Sequence, residues 1–467
     1  MQYRKKVAAI YLLGFFVDLV NMFIANVAYP DIARAFGASV AELAWVSNAY
    51  ILGLTLVIPL SAWLARTYGS KRIFMASLAL FLIATVGAGA AASLAALIGW
   101  RLLQGLGGGL LIPVGQTLAY RLYQPRERAG LSSMIMLVGL LAPALSPALG
   151  GWIVDTLGWR WLFFLNLPLA ALALAMAGCW LRPEPAGAVC SPLDIDGLAC
   201  ASLALLLILS GLSTLGNAGQ QAVGCAVLAA GLLIFIRYVR GSSRKLHPIL
   251  NLTLLRDPLL KLAMLIYLLI PGVFMGVSLL AMFYLQGVLG MSASRTGALM
   301  LPWALAAFLA ISLTGKRFNR YGPRPLFQLG ALAHGGGIAL LLGVTQAGQL
   351  PLLTAAYMLM GFGGSLASSA AQSTAFLQTA DEHLGQASAL WNINRQLSFC
   401  LGVALLGVLF NLLLAWDGTV ELSGMYQSRH AMHVFHSCFA VAAASSLLPV
   451  LLSLRIKNSE ILQFLRQ

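Results

Sequence analysis

Long apolar runs recur from one end of this chain to the other, and charges within them are sparse. About 20 mainly apolar residues suffice for a helix to cross the hydrocarbon core of a bilayer. Runs of that order fall at 8–31, 44–65, 73–93, 95–118, 130–154, 160–181, 197–215, 221–239, 260–285, 295–315, 326–346, 351–373, 386–414 and 431–453. The pattern predicts an all-α integral membrane protein with fourteen transmembrane helices. Composition agrees. Only 9% of the residues are charged and the mean hydropathy is +0.86, whereas a soluble domain carries about 25% charged residues.

The net charge of +15 would point to nucleic acid in a soluble protein. Here topology accounts for it, and no nucleic-acid partner is expected. An even number of spans puts both termini on one side. With Arg4, Lys5 and Lys6 in the cytoplasm, that side holds twenty-three of the 29 Lys and Arg residues. The outer side holds Arg34, Arg160, Arg295 and Arg429, while Arg101 and Arg395 fall within spans. Basic residues concentrate in cytoplasmic loops, so both termini are expected there. The start "MQYRKKVAAIYLLGFF" is basic then apolar, like a signal peptide. No small-residue cleavage site follows, and the run continues to Pro30, so it reads as a retained first span.

Chemistry of other kinds finds little support. Six cysteines are scattered without ligand spacing or a disulfide framework. "GLGGGLL" at 105–111 has no Lys-Ser or Lys-Thr after it, which argues against ATP drive. No Ser-His-Asp, HExxH or paired-carboxylate arrangement is present, so neither an enzyme nor a cofactor is expected. His430, His433 and His436 are spaced by three at the outer end of the last span. They read either as a metal contact or pH sensor, or as a plain amphipathic helix end. His334, alone in its span, reads as a packed histidine or as part of a pathway.

A weak internal repeat is visible. "SAWLARTYGSKR" at 61–72 is similar to "TGKRFNRYGPRP" at 314–325, with Tyr-Gly at the same offset. "LLQGLGGGLLIP" at 102–113 is similar to "LMGFGGSLASSA" at 359–370. Paired halves are a hallmark of secondary transporters. The division expected is a six-helix bundle over 1–182, an insertion over 183–258 and a second six-helix bundle over 259–467. The insertion would hold two extra spans and a basic, amphipathic linker lying on the cytoplasmic membrane surface.

These motifs resemble the major facilitator superfamily, and within it the fourteen-helix drug:proton antiporter group, over nearly the whole chain. The stretch at 61–72 resembles that family's gate loop "GxLADRxGRR" between helices 2 and 3. Gly69, Lys71 and Arg72 fit, but Ala62 replaces a Gly and Arg66 stands where the family has Asp. "RLLQGLGGGLLIP" resembles helix 4, with Arg101 within the membrane and Gln104 a turn further on. "GLLAPALSPALGGW" at 139–152 resembles the antiporter motif of helix 5; Pro143, Pro147, Gly150 and Gly151 fit and Ser146 replaces a Gly. "WRWLFFLNLP" at 159–168 resembles the start of helix 6. "GQASALWNINRQLSFCLGVALLG" at 385–407 resembles helix 13 and puts Asn392, Arg395 and Gln396 in a polar patch. In helix 1, anchoring on "NVAYPDI" places Asn26 in register and puts Asn21 where the family has its Asp; this chain has Asp18 one turn earlier.

The resemblance implies a monomeric, proton-coupled exporter of a small organic molecule, working by alternating access in a bacterial cytoplasmic membrane among its lipids. Asp18 is the acid lying well inside a span, where a carboxylate can take up or release a proton near neutral pH. It reads as the proton carrier, or as the partner of a base such as Arg101. Asn21, Asn26, Arg101, Gln104, Asn392 and Arg395 would line or shape the substrate path, and Arg66, Gly69, Lys71 and Arg72 the gate. The intramembrane charges are one acid against two bases. That bias favours neutral, zwitterionic or anionic cargo, such as a carboxylate-rich metabolite or a siderophore-like chelator, over a lipophilic cation. Cationic multidrug efflux and proton-coupled uptake are the alternatives; from other classes, a channel or a transporter-derived sensor.

Overall fold

The computed structural model describes residues 2–24, 28–37, 40–183, 192–215, 219–242, 245, 247–416 and 429–466. These residues form helices and connections, with no strand among them. Proline sets several of the boundaries. α1 (Gln2–Ile24) takes in the basic N-terminus, and Pro30 opens a separate α2 (Tyr29–Phe36) instead of extending α1. Proline suits the first turn of a helix, where its missing N–H costs nothing, and not the interior. The run expected as one span at 44–65 is α3 (Val40–Val57), a 3-10 turn holding Pro59, and α4 (Ser61–Tyr68). Next come α5 (Ser70–Gly89), α6 (Leu94–Tyr120), α7 (Pro125–Leu157), α8 (Trp161–Phe164) and α9 (Asn166–Trp180). α10 (Ile195–Leu215) and α11 (Gln221–Ser242) form a hairpin, followed by α12 (Pro258–Phe283), α13 (Ala293–Ala298), α14 (Met300–Tyr321), α15 (Pro323–Leu340) and α16 (Leu350–Ala375). α17 (Leu384–Trp416), α18 (Arg429–Ser445), α19 (Leu447–Ser453) and α20 (Asn458–Arg466) complete the chain.

Among the described residues, 12 helical segments are long and apolar enough to cross a membrane. α1 and α7 are long helices in addition to these. Their outer surface stays apolar: Leu301, Leu233 and Trp152 are 73%, 67% and 63% exposed. Lipid favours such a surface; water would not.

One packing pattern occurs twice. α6 packs against both α3 and α5, and α1 packs along α7. Likewise α16 packs against both α14 and α15, and α12 packs along α17. The Tyr-Gly repeat has matching geometry. Each half-turn is a single glycine, Gly69 (φ 88°, ψ 138°) between α4 and α5, and Gly322 (φ 74°, ψ 177°) between α14 and α15. Side chains are excluded from this backbone region, so glycine there is a steric requirement. The stretch at 61–74, expected as a turn, is thus helix on both sides of one residue.

Both ends of the described chain lie at the same end of the bundle. Arg4 pairs with Glu127 at the start of α7 at 2.7 Å, and Asn319 near the end of α14 donates to the Arg126 carbonyl at 2.6 Å. Asn458, opening α20, accepts from the Arg324 N–H at 3.2 Å.

The α10–α11 hairpin bridges: α10 packs against α3 and α17. Among its described residues, the linker after it is a strap with a 3-10 segment at Leu252–Arg256. Gln386 of α17 clamps it, accepting from the Asn251 N–H at 3.1 Å and donating to the Ile249 carbonyl at 3.2 Å. Asp194 ties its start, pairing with Lys245 and accepting from the Ile249 N–H. Burial alone would raise the Asp194 carboxyl, but Lys245 and the Gly197 and Ile249 N–H groups hold it below the usual carboxylate range. A depressed carboxyl stabilises fully above its unfolded pKa of about 3.9, and the gain is lost as pH falls through the folded value. Hydrogen exchange of the 247–257 strap, corrected for intrinsic rate, is therefore expected to be slow at neutral pH and to accelerate in acid below about pH 4. Asp194→Asn should exchange fast at both; slow exchange in that variant at neutral pH would remove Asp194 from the anchoring of the strap.

Candidate functional site

A cavity of about 400 Å³ lies in the middle of the bundle, walled by α1, α6, α7, α12, α14, α16 and α17. Its lining is mostly aromatic and aliphatic: Phe15, Tyr267, Phe274, Trp303, Trp391 and Phe399 alongside Leu19, Ile135 and five methionines. Polar groups are few, namely Gln116, Gln372, Asn392, Gln396 and three serines. Arg395 is the one charged residue among the described lining residues, and its guanidinium stands 5.4 Å from the Phe15 ring centroid.

The floor of the cavity, toward the end that carries the termini, is closed by contacts between the first and second six long helices. Asn392 of α17 donates to Gln116 Oε1 of α6 at 3.0 Å. Tyr120 packs on Phe376 with centroids 4.6 Å apart, and Phe376 lies against Trp391 at 5.8 Å. Below them, Arg128 of α7 donates to the Phe376 and Thr379 carbonyls at 2.7 and 3.0 Å and pairs with Asp381 at 2.9 Å. A cation on the last carbonyls of α16 satisfies groups the helix leaves unpaired and meets the negative end of its dipole.

The gate residues divide. Lys71 caps a helix end in the same way, donating from Nζ to the Gly178 and Leu181 carbonyls at 2.9 and 2.5 Å, beyond α9. Arg72 is exposed. Arg66, at the end of α4, is exposed and feels the like charge of Arg121. Asp381, one of the acids at this end of the bundle, is engaged by Arg128.

Asp18 is fully buried on α1. At 100° per residue it borders the stripe of Tyr11, Phe15, Leu19 and Met22 that α1 turns to the cavity. Tyr50 of α3 donates its hydroxyl to Asp18 Oδ1, while Oδ2 has no partner among the described residues. Gly108 of α6 makes room: a Cβ there would collide with Oδ1. The Tyr50 ring carries Arg101 on its face, with the guanidinium carbon 4.4 Å from the centroid. Arg101, fully buried, donates from Nε to the Val46 carbonyl at 3.0 Å, and from Nη1 to Asn21 Oδ1 and to Gln104 Oε1, the latter at 2.8 Å. Gln104 passes the chain on to Thr85 Oγ1 of α5 at 2.7 Å. Asp18 and Arg101 form no direct ion pair among the described residues; Tyr50 stands between them as hydrogen-bond donor to one and π-face to the other.

The residues singled out in the sequence thus fall in two groups. Asn392 and Arg395 line the cavity; Asp18, Asn21, Arg101 and Gln104 form a buried polar cluster beside it. Asn26 lies outside the described residues. Gly139 lines the cavity, Gly150 is buried and Gly151 half-buried along the unbroken α7, whose Pro143 and Pro147 side chains lie outside the described set. His436 is engaged with the Tyr284 hydroxyl at 3.0 Å, His433 is exposed, and the His430 side chain is outside the described set. Sequence reasoning missed Tyr50, Gln116, Phe274 and Trp303. The repeat offset between 61–72 and 314–325 pairs Tyr50 with Trp303, a signal that was available.

The fold and these motifs are those of a membrane transporter. The profile of the Major Facilitator Superfamily matches residues 11–403, and the chain belongs to that family. It is 31% identical over 411 residues to a multidrug resistance protein B homolog of Mycobacterium tuberculosis, covering 86% of this chain and 76% of that one. It is 27% identical over 456 residues to the putative multidrug resistance protein MdtD of Cronobacter sakazakii, covering 95% and 93%. Among solved structures, the human organic anion transporter MFSD10 superposes with a TM-score of 0.68 at 16% identity, covering 96% of this chain and 99% of that one. The proton:xylose symporter XylE superposes at 0.64 and 15% identity, covering 100% and 99%. These likenesses show the fold.

Two outcomes follow from the geometry. Tyr50→Phe leaves Asp18 Oδ1 without its donor, and unfolding in detergent should show a loss of about 1–3 kcal/mol. An unchanged melting temperature would mean the hydroxyl contributes nothing there. Arg66→Asp replaces repulsion from Arg121 by attraction; the gain at an exposed pair is about 0.2–1 kcal/mol, screened by salt. The closed end should hold more firmly and transport should slow, an effect reduced in high salt; transport equal to wild type would refute this.

Proposed function

We propose that this chain is a proton-coupled exporter of the fourteen-helix antiporter group, with α1 and α7 as the two spans beyond the 12 and with both termini cytoplasmic. The halves 1–182 and 259–467 rock about the cavity, with 183–258 as the insertion bridging them. The structure is then closed on the cytoplasmic side by the Arg128 latch and the Asn392–Gln116 floor. The carrying observation is Asp18: a buried acid bordering the cavity, with one free oxygen and a tyrosine that links it to a guanidinium. Protonation removes the charge that Tyr50 and Arg101 answer to. The contacts tying α1 to α3 and α6 then weaken together, which couples the proton to the shape of the first half.

The cargo reading rests on Arg395, the lone charge in an otherwise neutral and aromatic lining. A cation there would meet repulsion in a low-dielectric wall; an anion, zwitterion or neutral molecule would not. The relatives named for multidrug resistance support export as the direction and a small organic molecule as the cargo. Comparing metabolites retained by cells with and without the gene would supply a cargo. Its flux into proteoliposomes under an imposed pH gradient then tests coupling. Asp18→Asn is expected to lose gradient-driven flux while keeping downhill exchange; equal gradient-driven rates in the two proteins would remove Asp18 from the mechanism.

A further inference from the structure

Two buried ring nitrogens on the α14–α15 side of the cavity have no hydrogen-bond partner among the described residues: Trp303 Nε1 and His334 Nε2. Such orphans are uncommon in native interiors, because an unpaired buried donor or acceptor costs about 1–3 kcal/mol. Both rings neighbour Phe274, which stacks on Trp303 with centroids 5.0 Å apart and planes 12° from parallel, and lies 6.4 Å from His334. Phe274 and Trp303 line the cavity. His334 does not, but Gly364 does, and the imidazole edge lies directly behind that glycine. A Cβ at Gly364 would stand 3.1 Å from His334 Cδ2 and 3.7 Å from Nε2. With no side chain there, only the Gly364 backbone separates the cavity from the edge of the His334 ring.

The chemistry of the pair is specific. The indole N–H donates and never accepts. His334 Nδ1 lies 3.4 Å from Ser446 Oγ, and no charged side chain acts on the ring. A hydroxyl group can serve either nitrogen, its oxygen accepting from the Trp303 N–H or its O–H donating to an unprotonated His334 Nε2. The indole brings no charge to offset the desolvation of a carboxylate. We propose that Trp303 and His334 form an uncharged subsite for a hydroxyl group of the cargo, opposite the Arg395 end that takes its anionic group. This rests on the reading of the cavity as the cargo site.

Two fluorescent probes differing by one hydroxyl test it: 6-hydroxy-2-naphthoate and 2-naphthoate, titrated against the full-length protein in detergent micelles. The hydroxyl is expected to tighten binding about fivefold, the range of one added neutral hydrogen bond. Trp303→Phe, which keeps the stack and removes the N–H, should abolish that gain, read as the ratio of the two probes' affinities within the variant. Gly364→Ala, which puts a methyl group 3.1 Å from the His334 ring edge, should abolish the gain by the same ratio. Arg395→Gln should weaken both probes equally. Equal affinity of the two probes for the wild type, or a hydroxyl gain surviving both Trp303→Phe and Gly364→Ala, would overturn the subsite. Were both probes to bind with Arg395→Gln indifferent to either, the cavity reading itself would fall; no saturable binding of either would overturn both.

Discussion

A guanidinium with no route to water must find its partners inside the protein, and Arg101 sets the terms for the first half of this one. Four of its neighbours come from three different helices: Asn21 of α1, Val46 and Tyr50 of α3, and Gln104 of its own α6. None of them is an acid. The charge is spread over neutral acceptors and an aromatic face, which compensates desolvation without locking a carboxylate against it. Asp18 is left one hydroxyl away, without a direct ion pair to Arg101 among the described residues.

The same economy shapes the closed end. Lys71 and Arg128 each meet the last carbonyls of a helix, α9 and α16, and only Arg128 also meets an acid. Helix ends supply fixed partial charges that need no acidic side chain. This is how a chain with 14 acids against 29 bases still ties helices together at this end. Arg66, which has a like charge for a neighbour, is the departure, and it makes this end less firmly closed than an acid there would.

The cavity sits where these two constraints leave it. Its floor is the meeting of α6 and α16 with α17, and its walls are mostly apolar. What polarity remains is Arg395, a few amides and the ring nitrogens beside Phe274.

Much of this was legible in the sequence, for a physical reason. Hydrocarbon imposes length and apolarity on every crossing helix, so spans, the Tyr-Gly turns and the intramembrane Arg101, Asp18 and Arg395 could be read residue by residue. Helix breaks at Pro30 and Pro59 were blurred because a proline at a helix start leaves the apolar run uninterrupted. The linker at 240–258 read as amphipathic, yet side chains from distant helices, Gln386 and Asp194, decide its path. Nor could spacing tell which polar residues face the cavity and which turn away from it. Asn21 and Gln104 proved partners of Arg101, while Gln116 and Asn392 form the floor. That choice depends on which helices lie side by side, and a pattern along one helix does not contain it. The sequence by itself determined a polytopic helical membrane protein and its few buried charges. Only the tertiary structure decided that Tyr50 stands between Asp18 and Arg101, because contact across helices is set by packing, not by periodicity.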